Sequence, residues 1–305
     1  MVAPAVVTAV IPCYNQGRFL EECLASLRAQ TRDDWQAIVL DDASTDQQTP
    51  ALCDAQAQAD SRVRVLHLAP NHGRALVRNV GIAAATTEAI LNLDADDALE
   101  PTHFARTVPL LLADPQVGVV YTDYQRFGAR TDRLRGRPFD LAAMYRIRYV
   151  WAGSLFRKSA WAATPGFRDA FRDGNEDYDF YLSLVEAGYV GQYVPEPLFR
   201  YRCHPDSWTS SGVGGDDRVF RTRLALYAHH QTGFDRHGAR RAFLAATYED
   251  EATRVLAGGD QATAHALLGR ALRHAPWRPR LWRRWLQTAG RGQPPPGPPP
   301  PAKLP

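Results

Sequence analysis

The sequence predicts an α/β fold with a mainly parallel sheet flanked by helices and a helical extension at the C-terminal end. Three observations lead to this prediction. Short apolar runs alternate with helix-length amphipathic segments through the first half of the 305-residue chain, a pattern typical of parallel strands joined by crossover helices. Several of these runs end at polar or acidic clusters. From Arg218 onward the apolar spacing is helical.

The first half contains five predicted strands. Residues 6–11 (VVTAVI) are expected to form a buried strand because β-branched residues favour strands. The segment 17–30 is expected to be an amphipathic helix, because Leu20, Cys23, Leu24 and Leu27 fall at helical spacing. A further helix is predicted over 74–84, and Pro101 stands where the first turn of a helix tolerates proline. The other four strands are predicted over 36–40, at Val63 and Val65, over 88–93 and over 117–122.

The second half is less regular. Residues 123–140 are polar and arginine-rich and predict a loop, followed by a strand over 151–156, a helix over 179–186 and a strand over 189–194. Two antiparallel helices are predicted on either side of the turn at 258–260. Eight prolines in the last 12 residues exclude a helix there. We therefore predict a first domain over 1–215, a helical extension over 216–290 and a disordered tail over 291–305.

Composition places the chain among folded proteins and limits its location. Apolar residues make up 45% and charged residues 23%, which is ordinary for a globular protein. No apolar run reaches the roughly 18 residues of a membrane-spanning helix, and residues 1–11 lack the basic region of a secretory signal. The four cysteines form no CxxC pair, so we expect reduced thiols and a cytoplasmic protein.

Charge is unevenly distributed along the chain. The net charge of +3 is the sum of −7 over residues 1–217 and +10 from Arg218 to the C-terminus. The acidic first part and the basic last part therefore need separate explanations.

Two nucleotide-binding motifs are absent from the sequence. Lysine occurs twice, and the segment 153–159 (GSLFRKS) has Arg157 where a phosphate-binding loop requires glycine. No GxGxxG follows the first predicted strand, which argues against a dinucleotide-dependent dehydrogenase.

Polar clusters follow three of the predicted strands. They are PCYN at 12–15, DDASTD at 41–46 and DADD at 94–97, and ligands of open α/β sheets bind beyond the carboxyl ends of strands. Neighbouring carboxylates repel each other, and a hard divalent cation relieves that repulsion while bridging to phosphates. Turn formation and helix capping are the alternative roles of these residues, including Ser44 and Asp46.

The order of six motifs resembles glycosyltransferase family 2, which comprises inverting, nucleotide-sugar-dependent enzymes with the α/β fold called GT-A. The resemblance covers roughly residues 5–211. The motifs are VIPCYN (10–15), VLDDASTD (39–46), NHGRALVRNVGI (71–82), LNLDADDALEP (91–101), GNEDYDFYLSL (174–184) and YRCHPDSWTS (201–210). Each motif is weak alone, but six in this order are specific.

The resemblance implies a set of residues that bind the nucleotide sugar. Tyr14 would pack near the base, and Asp42 would accept a hydrogen bond from a uracil-type ring N–H, which favours a UDP or dTDP donor. Arg78 would contact the nucleotide, and Asp94 would lie near the ribose or the sugar. The full set is Pro12, Tyr14, Asn15, Asp42, Arg78, Asn79, Asp94, Asp97 and Glu176.

The resemblance also implies a metal site and a catalytic base. Asp96 would ligate Mn²⁺ or Mg²⁺ on the diphosphate, and His204 would complete the metal site or contact the diphosphate; a surface position is its other interpretation. Asp177 would be the general base, although its position just before a predicted helix also suits an N-terminal cap. Arg202 would meet either a phosphate or a salt-bridge partner.

The expected partners are a nucleotide-sugar donor and a glycan or lipid-linked acceptor in polysaccharide or cell-envelope glycan biosynthesis. Five arginines in the segment 123–140 suggest either an anionic acceptor or a solvated loop. The tryptophans and arginines of 276–289 suggest either peripheral contact with the inner face of the membrane or packing on the helical hairpin. No nucleic acid is expected. Alternative functions are a catalytically silent nucleotide-sugar binding protein and a nucleotidyltransferase.

Overall fold

A computed structural model of the protein describes residues 4–204 and 216–289. These residues form two compact units, one comprising residues up to 172 together with 176–204, the other comprising 173–175 and 216–289. The predicted proline-rich tail and residues 205–210 of the last motif lie outside the described residues.

One mixed sheet organises the first unit. Its strands are β1 (Val7–Cys13), β2 (Trp35–Asp41), β3 (Val63–His67), β4 (Ala89–Asn92), β5 (Ala98–Leu99), β6 (Val117–Gly128), β7 (Arg133–Leu134), β8 (Leu155–Arg157) and β9 (Val190–Cys203). Their order in the sheet is β3-β2-β1-β4-β8-β6-β9-β5, with β7 paired to β6.

The parallel part of the sheet contains β3, β2, β1 and β4. β1 pairs in parallel with both β2 and β4. Consecutive residues of β1 from Val7 to Ile11 are buried, because a central parallel strand is covered on both faces, and this explains its continuous apolar run. Beyond β4, antiparallel pairs join β8 to β4 and to β6, while β6 and β9 run parallel. The predicted α/β fold is confirmed.

Helices cover the sheet. In the first unit they are α1 (Gly17–Arg28), α2 (Gln48–Ala59), α3 (Gly73–Ala84), α4 (His103–Ala113), α5 (Leu141–Met144), α6 (Lys158–Ala162) and α7 (Glu176–Glu186). α1 buries Leu20, Cys23, Leu24 and Leu27, as its spacing predicts. α2 is not predicted from the sequence, because it buries only Thr49 and Cys53 and so has no apolar stripe.

Four boundaries differ from the sequence prediction. The strand predicted over 151–156 is shorter and lies later, because β8 covers only Leu155–Arg157. Part of the segment predicted as a loop, 123–140, is strand, since β6 continues to Gly128 and β7 follows. β9 extends beyond the predicted 189–194 to Cys203. These strand ends are polar and partly exposed, so no apolar alternation marks them. α7 begins at Glu176, three residues earlier than predicted, and its first turn contains the acidic residues Glu176, Asp177 and Asp179.

The second unit is helical. It contains α8 (Arg218–His229), α9 (Gln231–Arg236), α10 (Arg240–Ala257), α11 (Gln261–His274) and α12 (Pro279–Thr288). The side chain of Asp260 accepts a hydrogen bond from the backbone of Thr263 at 3.0 Å and so caps α11 after the predicted glycine turn. A core that includes Ala252, Leu268 and Trp285 joins α10, α11 and α12. Within 4–204 and 216–289, no helix has both the length and the apolar character that crossing a membrane requires.

Candidate active site

Asp42, directly after β2, is bound to the start of α3. Its Oδ1 accepts a hydrogen bond from the backbone N–H of His72, and its Oδ2 accepts one from that of Gly73, both at 2.8 Å. The residue is 3% exposed. A carboxylate at a helix N-terminus satisfies otherwise unpaired N–H groups, so Asp42 positions α3, and hydrogen bonding to a base remains a prediction for it.

Asn15 ties the end of β1 to the loop after β2. With φ at 55°, it lies in the left-handed region that asparagine tolerates. Its Oδ1 accepts hydrogen bonds from the backbone N–H groups of Thr45 and Asp46 at 2.8 and 3.2 Å. Asp46 in turn accepts from the backbone of Thr49 at 2.9 Å near the start of α2, the capping role that its sequence position also allowed. Just before Asn15 in the chain, Pro12 is half-buried and Tyr14 is 46% exposed.

The acidic turn after β4 concentrates negative charge. Burial raises the pKa of Asp96, and the charge of Asp94 raises it further. Burial likewise raises the pKa of Asp97 well above its usual value, with Asp96 and Asp94 adding to the effect. This is the repulsion that the DADD motif predicts.

The three carboxylates of this turn make different contacts. Asp97 is 3% exposed and accepts a hydrogen bond from the backbone N–H of Arg202 at 2.8 Å, which attaches the end of β9 to the turn. Asp96 Oδ2 lies 3.0 Å from His204 Nε2. Asp94 Oδ1 accepts a hydrogen bond from Arg78 at 2.7 Å.

Asp96 and His204 are the residues that fit a divalent cation. A carboxylate oxygen and an imidazole nitrogen converge there, while elevated negative charge surrounds them. Mn²⁺ and Mg²⁺ in phosphate-transfer sites use few protein ligands and take the rest from substrate oxygens and water. Within the described ranges no group of three or more His, Cys, Asp or Glu side chains is arranged to hold a metal ion. The donor set therefore fits a cation that a diphosphate helps to hold.

Arg78 joins the acidic turn to the start of α7. Its side chain is fully buried, and its two terminal nitrogens donate to Asp94 and to Glu176, each at 2.7 Å. Burial works against its charge, but the two carboxylates outweigh this effect and raise the pKa of Arg78. Burial raises the pKa of Glu176, and the guanidinium groups of Arg78 and Arg74 more than reverse this, so its pKa is lowered.

Asp177 lies in the first turn of α7 and is 6% exposed. Its Oδ1 accepts hydrogen bonds from the backbone N–H of Tyr178 at 2.8 Å and from Arg148 at 3.2 Å. Burial raises the pKa of Asp177, and the charge of Arg148 opposes that rise without cancelling it. A buried carboxyl group with a raised pKa beside a cluster of charged groups is typical of catalytic acids and bases.

Comparisons with known proteins identify the family. A family profile described as "Glycosyl transferase family 2" matches residues 8–174. The chain belongs to glycosyl transferase family 2. This confirms the resemblance that the sequence motifs indicate.

A curated relative and a solved structure are similar to the chain in sequence and in fold, respectively. The chain is 31% identical to the O-antigen biosynthesis protein RfbC of Myxococcus xanthus over 232 residues, which is 73% of this chain but 18% of RfbC. The structure of S. aureus TarS 1-349 in complex with UDP-GlcNAc matches 93% of this chain and 89% of that one, with a TM-score of 0.68 and 15% identity.

A second solved structure has the same fold. The mannosyltransferase PcManGT from Pyrobaculum calidifontis, in complex with GDP-Man and Mn²⁺, matches 94% of this chain and 87% of that one, with a TM-score of 0.60 and 21% identity. The GT-A-like fold predicted from the motifs is thus confirmed.

Asn79 of this family 2 protein is hydrogen-bonded to the segment before α7. Its amide donates to the carbonyl of Phe167 at 2.7 Å and accepts from the backbone of Phe167 and the indole of Trp161, both at 3.0 Å. These bonds hold the loop before α7 against α3. A nucleotide contact for Asn79 remains a prediction.

The arginine-rich segment 123–140 is largely paired internally. Arg133 binds the buried Asp123, and Arg126 and Arg130 both contact Asp132. Arg202 likewise makes a salt bridge, to Glu22, and donates to the carbonyl of Asp96 at 2.7 Å. The contact with Glu22 favours the salt-bridge interpretation of Arg202. In the segment 123–140, Arg126, Arg130 and Arg133 have acidic partners within the segment, and binding of an anionic acceptor remains a prediction.

Sequence reasoning missed three residues of the site. Gln16 donates to Asp96 at 3.5 Å, Arg74 lies 3.8 Å from Glu176, and Arg148 pairs with Asp177. Gln16 and Arg74 are each next to or inside a recognised motif, so motif proximity is a signal for them. Arg148 belongs to no motif and is 29 residues from its partner.

Proposed function

We propose that this protein is a metal-dependent inverting glycosyltransferase that moves a sugar from a nucleotide-diphosphate donor to a hydroxyl group. The proposal rests mainly on one observation. The guanidinium of Arg78 binds both Asp94 after β4 and Glu176 at the start of α7, and so joins two acidic segments. The turn after β4 would stabilise the leaving group, and the start of α7 would remove the proton of the acceptor hydroxyl.

The donor half belongs to the acidic turn. Asp96 and His204 would hold Mn²⁺ or Mg²⁺, which supplies charge neutralisation for the departing diphosphate. Pro12 and the exposed Tyr14 would line the base pocket beside Asn15, and Asp94, with a third of its side chain exposed, would face the ribose or sugar. TarS and PcManGT, which share the fold, are solved with UDP-GlcNAc and with GDP-Man and Mn²⁺. The proposal of a UDP or dTDP donor rests on Asp42 alone, which would accept a hydrogen bond from the ring N–H of a uracil-type base.

The acceptor half belongs to α7. Asp177 would take the proton of the attacking hydroxyl, a contribution of about 10²–10⁴-fold for a well-placed base. One carboxylate acting on the acceptor side gives a single displacement and therefore inversion at the anomeric carbon. Glu176 accepts a hydrogen bond from Arg78, and this bond would position the start of α7, which carries the catalytic base Asp177.

A nucleotide-release assay tests the proposal. The full chain is incubated with a panel of nucleotide sugars, with Mn²⁺ or with chelator, and with mixed glycan acceptors. We expect release that needs metal, falls at least about 100-fold in Asp177→Asn and in Asp96→Asn, and is unchanged in Asp114→Asn, an exposed aspartate after α4. Release that survives both substitutions would contradict the site assignment.

The same protein variants also test the alternative that the chain binds a nucleotide sugar without catalysing transfer. If the wild type binds a nucleotide sugar by calorimetry but releases no nucleotide with any donor and acceptor, the protein is a sensor or scaffold. If Asp177→Asn binds donor like the wild type while losing release, the carboxylate serves chemistry rather than donor binding.

The helical unit presents a surface that suits a lipid interface. Trp277, Trp282 and Leu286 are 59%, 38% and 62% exposed, and the exposed Arg283 lies beside Trp282 on α12. Tryptophan and arginine together favour the headgroup region of anionic membranes. Trp285, in contrast, is buried against the hairpin. Peripheral attachment near a glycan or lipid-linked acceptor, at the cytoplasmic face, is therefore proposed for α12, and vesicle flotation tests it.

A further inference from the structure

We infer that Arg148 is a positioning residue for the transfer reaction, pairing with Asp177 so that this carboxylate stays ionised and oriented toward the acceptor. The inference deepens the proposed function and rests on it, because it takes Asp177 as the base. Nothing in the six family motifs points to Arg148, which lies in the irregular segment between α5 and β8.

The geometry leaves one oxygen of the base outside the pair. Nη1 of Arg148 lies 3.2 Å from Oδ1 of Asp177, and the same oxygen accepts the backbone N–H of Tyr178 at 2.8 Å. Both bonds fall on Oδ1, so neither occupies Oδ2. A carboxylate held through one oxygen keeps the other to accept the proton of a substrate hydroxyl.

The two arginines of α3 near Asp177 interact closely with other carboxylates. On α3, Arg78 pairs with Glu176 and Asp94, and Arg74 lies 3.8 Å from Glu176. Two positive charges thus face two negative ones, and of the cations near Asp177 it is Arg148 that lowers its pKa most, with a smaller contribution from Arg78.

The remaining titratable groups around Asp177 do not supply a positive charge. They are Glu176, Tyr178 and Tyr181 on α7 and Tyr124 on β6. Burial raises the pKa of Asp177 and Arg148 lowers it. Without Arg148, burial and the neighbouring Glu176 would raise the pKa of Asp177 further, so that the ionised carboxylate would form only at a higher pH.

The segment that carries Arg148 is anchored by other contacts. Tyr178 donates to the carbonyl of Met144 at 2.6 Å, and Tyr145 donates to Glu186 at 2.9 Å. Tyr149 donates to the carbonyl of Asp140 at 2.9 Å. The side chain of Arg148 itself is 43% exposed. Removing it therefore changes the charge beside Asp177 more than the fold of the segment.

Carboxyl titration by NMR tests the inference without requiring turnover. The full chain is labelled with ¹³C at the aspartate carboxyl carbons, and the Asp177 signal is the one missing from Asp177→Asn. In Arg148→Met we expect its pKa to rise by about one pH unit or more, since an opposite charge at this distance lowers a carboxyl pKa by about 1–3. Arg148→Lys should restore much of the difference, and Arg146→Met, two residues away and exposed, should leave it unchanged. A pKa in Arg148→Met within a few tenths of the wild-type value would overturn the inference.

The pH dependence of nucleotide release supplies the functional readout. In Arg148→Met the acidic limb of the rate profile should move upward with the Asp177 pKa, while the rate at high pH is retained. An equal loss at every pH would show a merely structural role and would overturn the inference. If the wild type shows no Asp177-dependent release, the proposed function fails, and the titration still decides whether Arg148 keeps Asp177 ionised.

Discussion

Arg78 stabilises the site through two ion pairs of one buried side chain. It is completely buried and holds Glu176 and Asp94 at 2.7 Å each. Replacing it with methionine leaves the buried Glu176 without its main counter-ion, which costs about 3–5 kcal/mol for a buried pair. We expect Arg78→Met to lower the free energy of unfolding in urea by about that amount.

An exposed pair supplies the matched control for Arg78. Arg130 contacts Asp132 with a side chain that is 62% exposed, so Arg130→Met should change the free energy of unfolding by less than about 1 kcal/mol. Adding Glu176→Gln to Arg78→Met should recover part of the loss, because the unpaired charge is gone. Equal effects of the two arginine substitutions would contradict the role given to Arg78.

His67 predicts a pH-dependent contribution to stability. Its Nε2 contacts Asp54 and its Nδ1 contacts Asp41, and these hydrogen bonds raise its pKa. A group whose pKa is raised on folding stabilises the fold below its unfolded pKa of about 6.5 and loses that contribution as pH rises through the folded value. His67→Gln should therefore lose more stability near pH 5.5 than near pH 9.

Exposure limits the size of the His67 effect. The side chain is 44% exposed, so the difference between the two pH values should be about 1 kcal/mol or less. Urea unfolding of wild type and His67→Gln at both pH values measures it. A loss that is the same at both values would show that His67 does not act through its charge.

At the residue scale, the sequence predicts the carboxylates better than their partners. The acidic residues Asp94, Asp96 and Asp97 follow an apolar strand, and that pattern alone indicates crowded charge. The partner Arg148 lies 29 residues from Asp177 and outside every motif, whereas Arg74 lies inside one. Arginine is common on surfaces, so nothing local distinguishes Arg148 as the partner of a buried carboxylate.

At the element scale, burial decides which elements can be predicted. β1 and α1 have continuous or periodic apolar patterns, and their predicted positions match the structure closely. α2 buries only two residues, and the outer ends of β6 and β9 are polar, so their sequences contain no period that distinguishes strand or helix from loop. The start of α7 is missed because its first turn is acidic, which stabilises a helix through the macrodipole rather than through apolar spacing.

Close packing of the segment before β8 against β9 gives a prediction at the same scale. A Cβ at Gly153 would lie 2.0 Å from the ring of Phe199, which stacks on Tyr124 with ring centres 4.3 Å apart. Gly153→Ala should lower the free energy of unfolding by about 1–3 kcal/mol through overpacking. Gly258→Ala, whose Cβ would meet only ordinary contacts, is the control and should be near neutral. Equal melting temperatures for the two variants would show that the Phe199 ring moves aside freely.

At the scale of the whole molecule, the two charged parts of the chain have different explanations. The acidic first part places its carboxylates at the sheet edge, where a cation and a diphosphate would offset them. The basic last part, +10 from Arg218 onward, uses some arginines internally, for example Arg284 on Glu249 and Arg254 on Glu251. The Arg254–Glu251 pair lies within one helix at a spacing of three residues, whereas the Arg284–Glu249 pair joins two helices that are far apart in the chain, so the sequence alone does not distinguish Arg284 from an exposed arginine.

The exposed face of α12 leads to the last prediction. Trp282 and Leu286 lie one helical turn apart and are solvent-exposed, whereas Trp285 is buried. Transfer of one such side chain out of water contributes about 1.5–3 kcal/mol, so the double substitution Trp282→Ser and Leu286→Ser should weaken binding to vesicles containing phosphatidylglycerol at least about tenfold. Flotation of the full chain measures this, and binding should also fall with added salt.

The control replaces Leu52 and Leu112, which are 39% and 42% exposed in the first unit, with serine and should float like the wild type. Undiminished flotation of the α12 variant would assign the exposed tryptophan and leucine to another role.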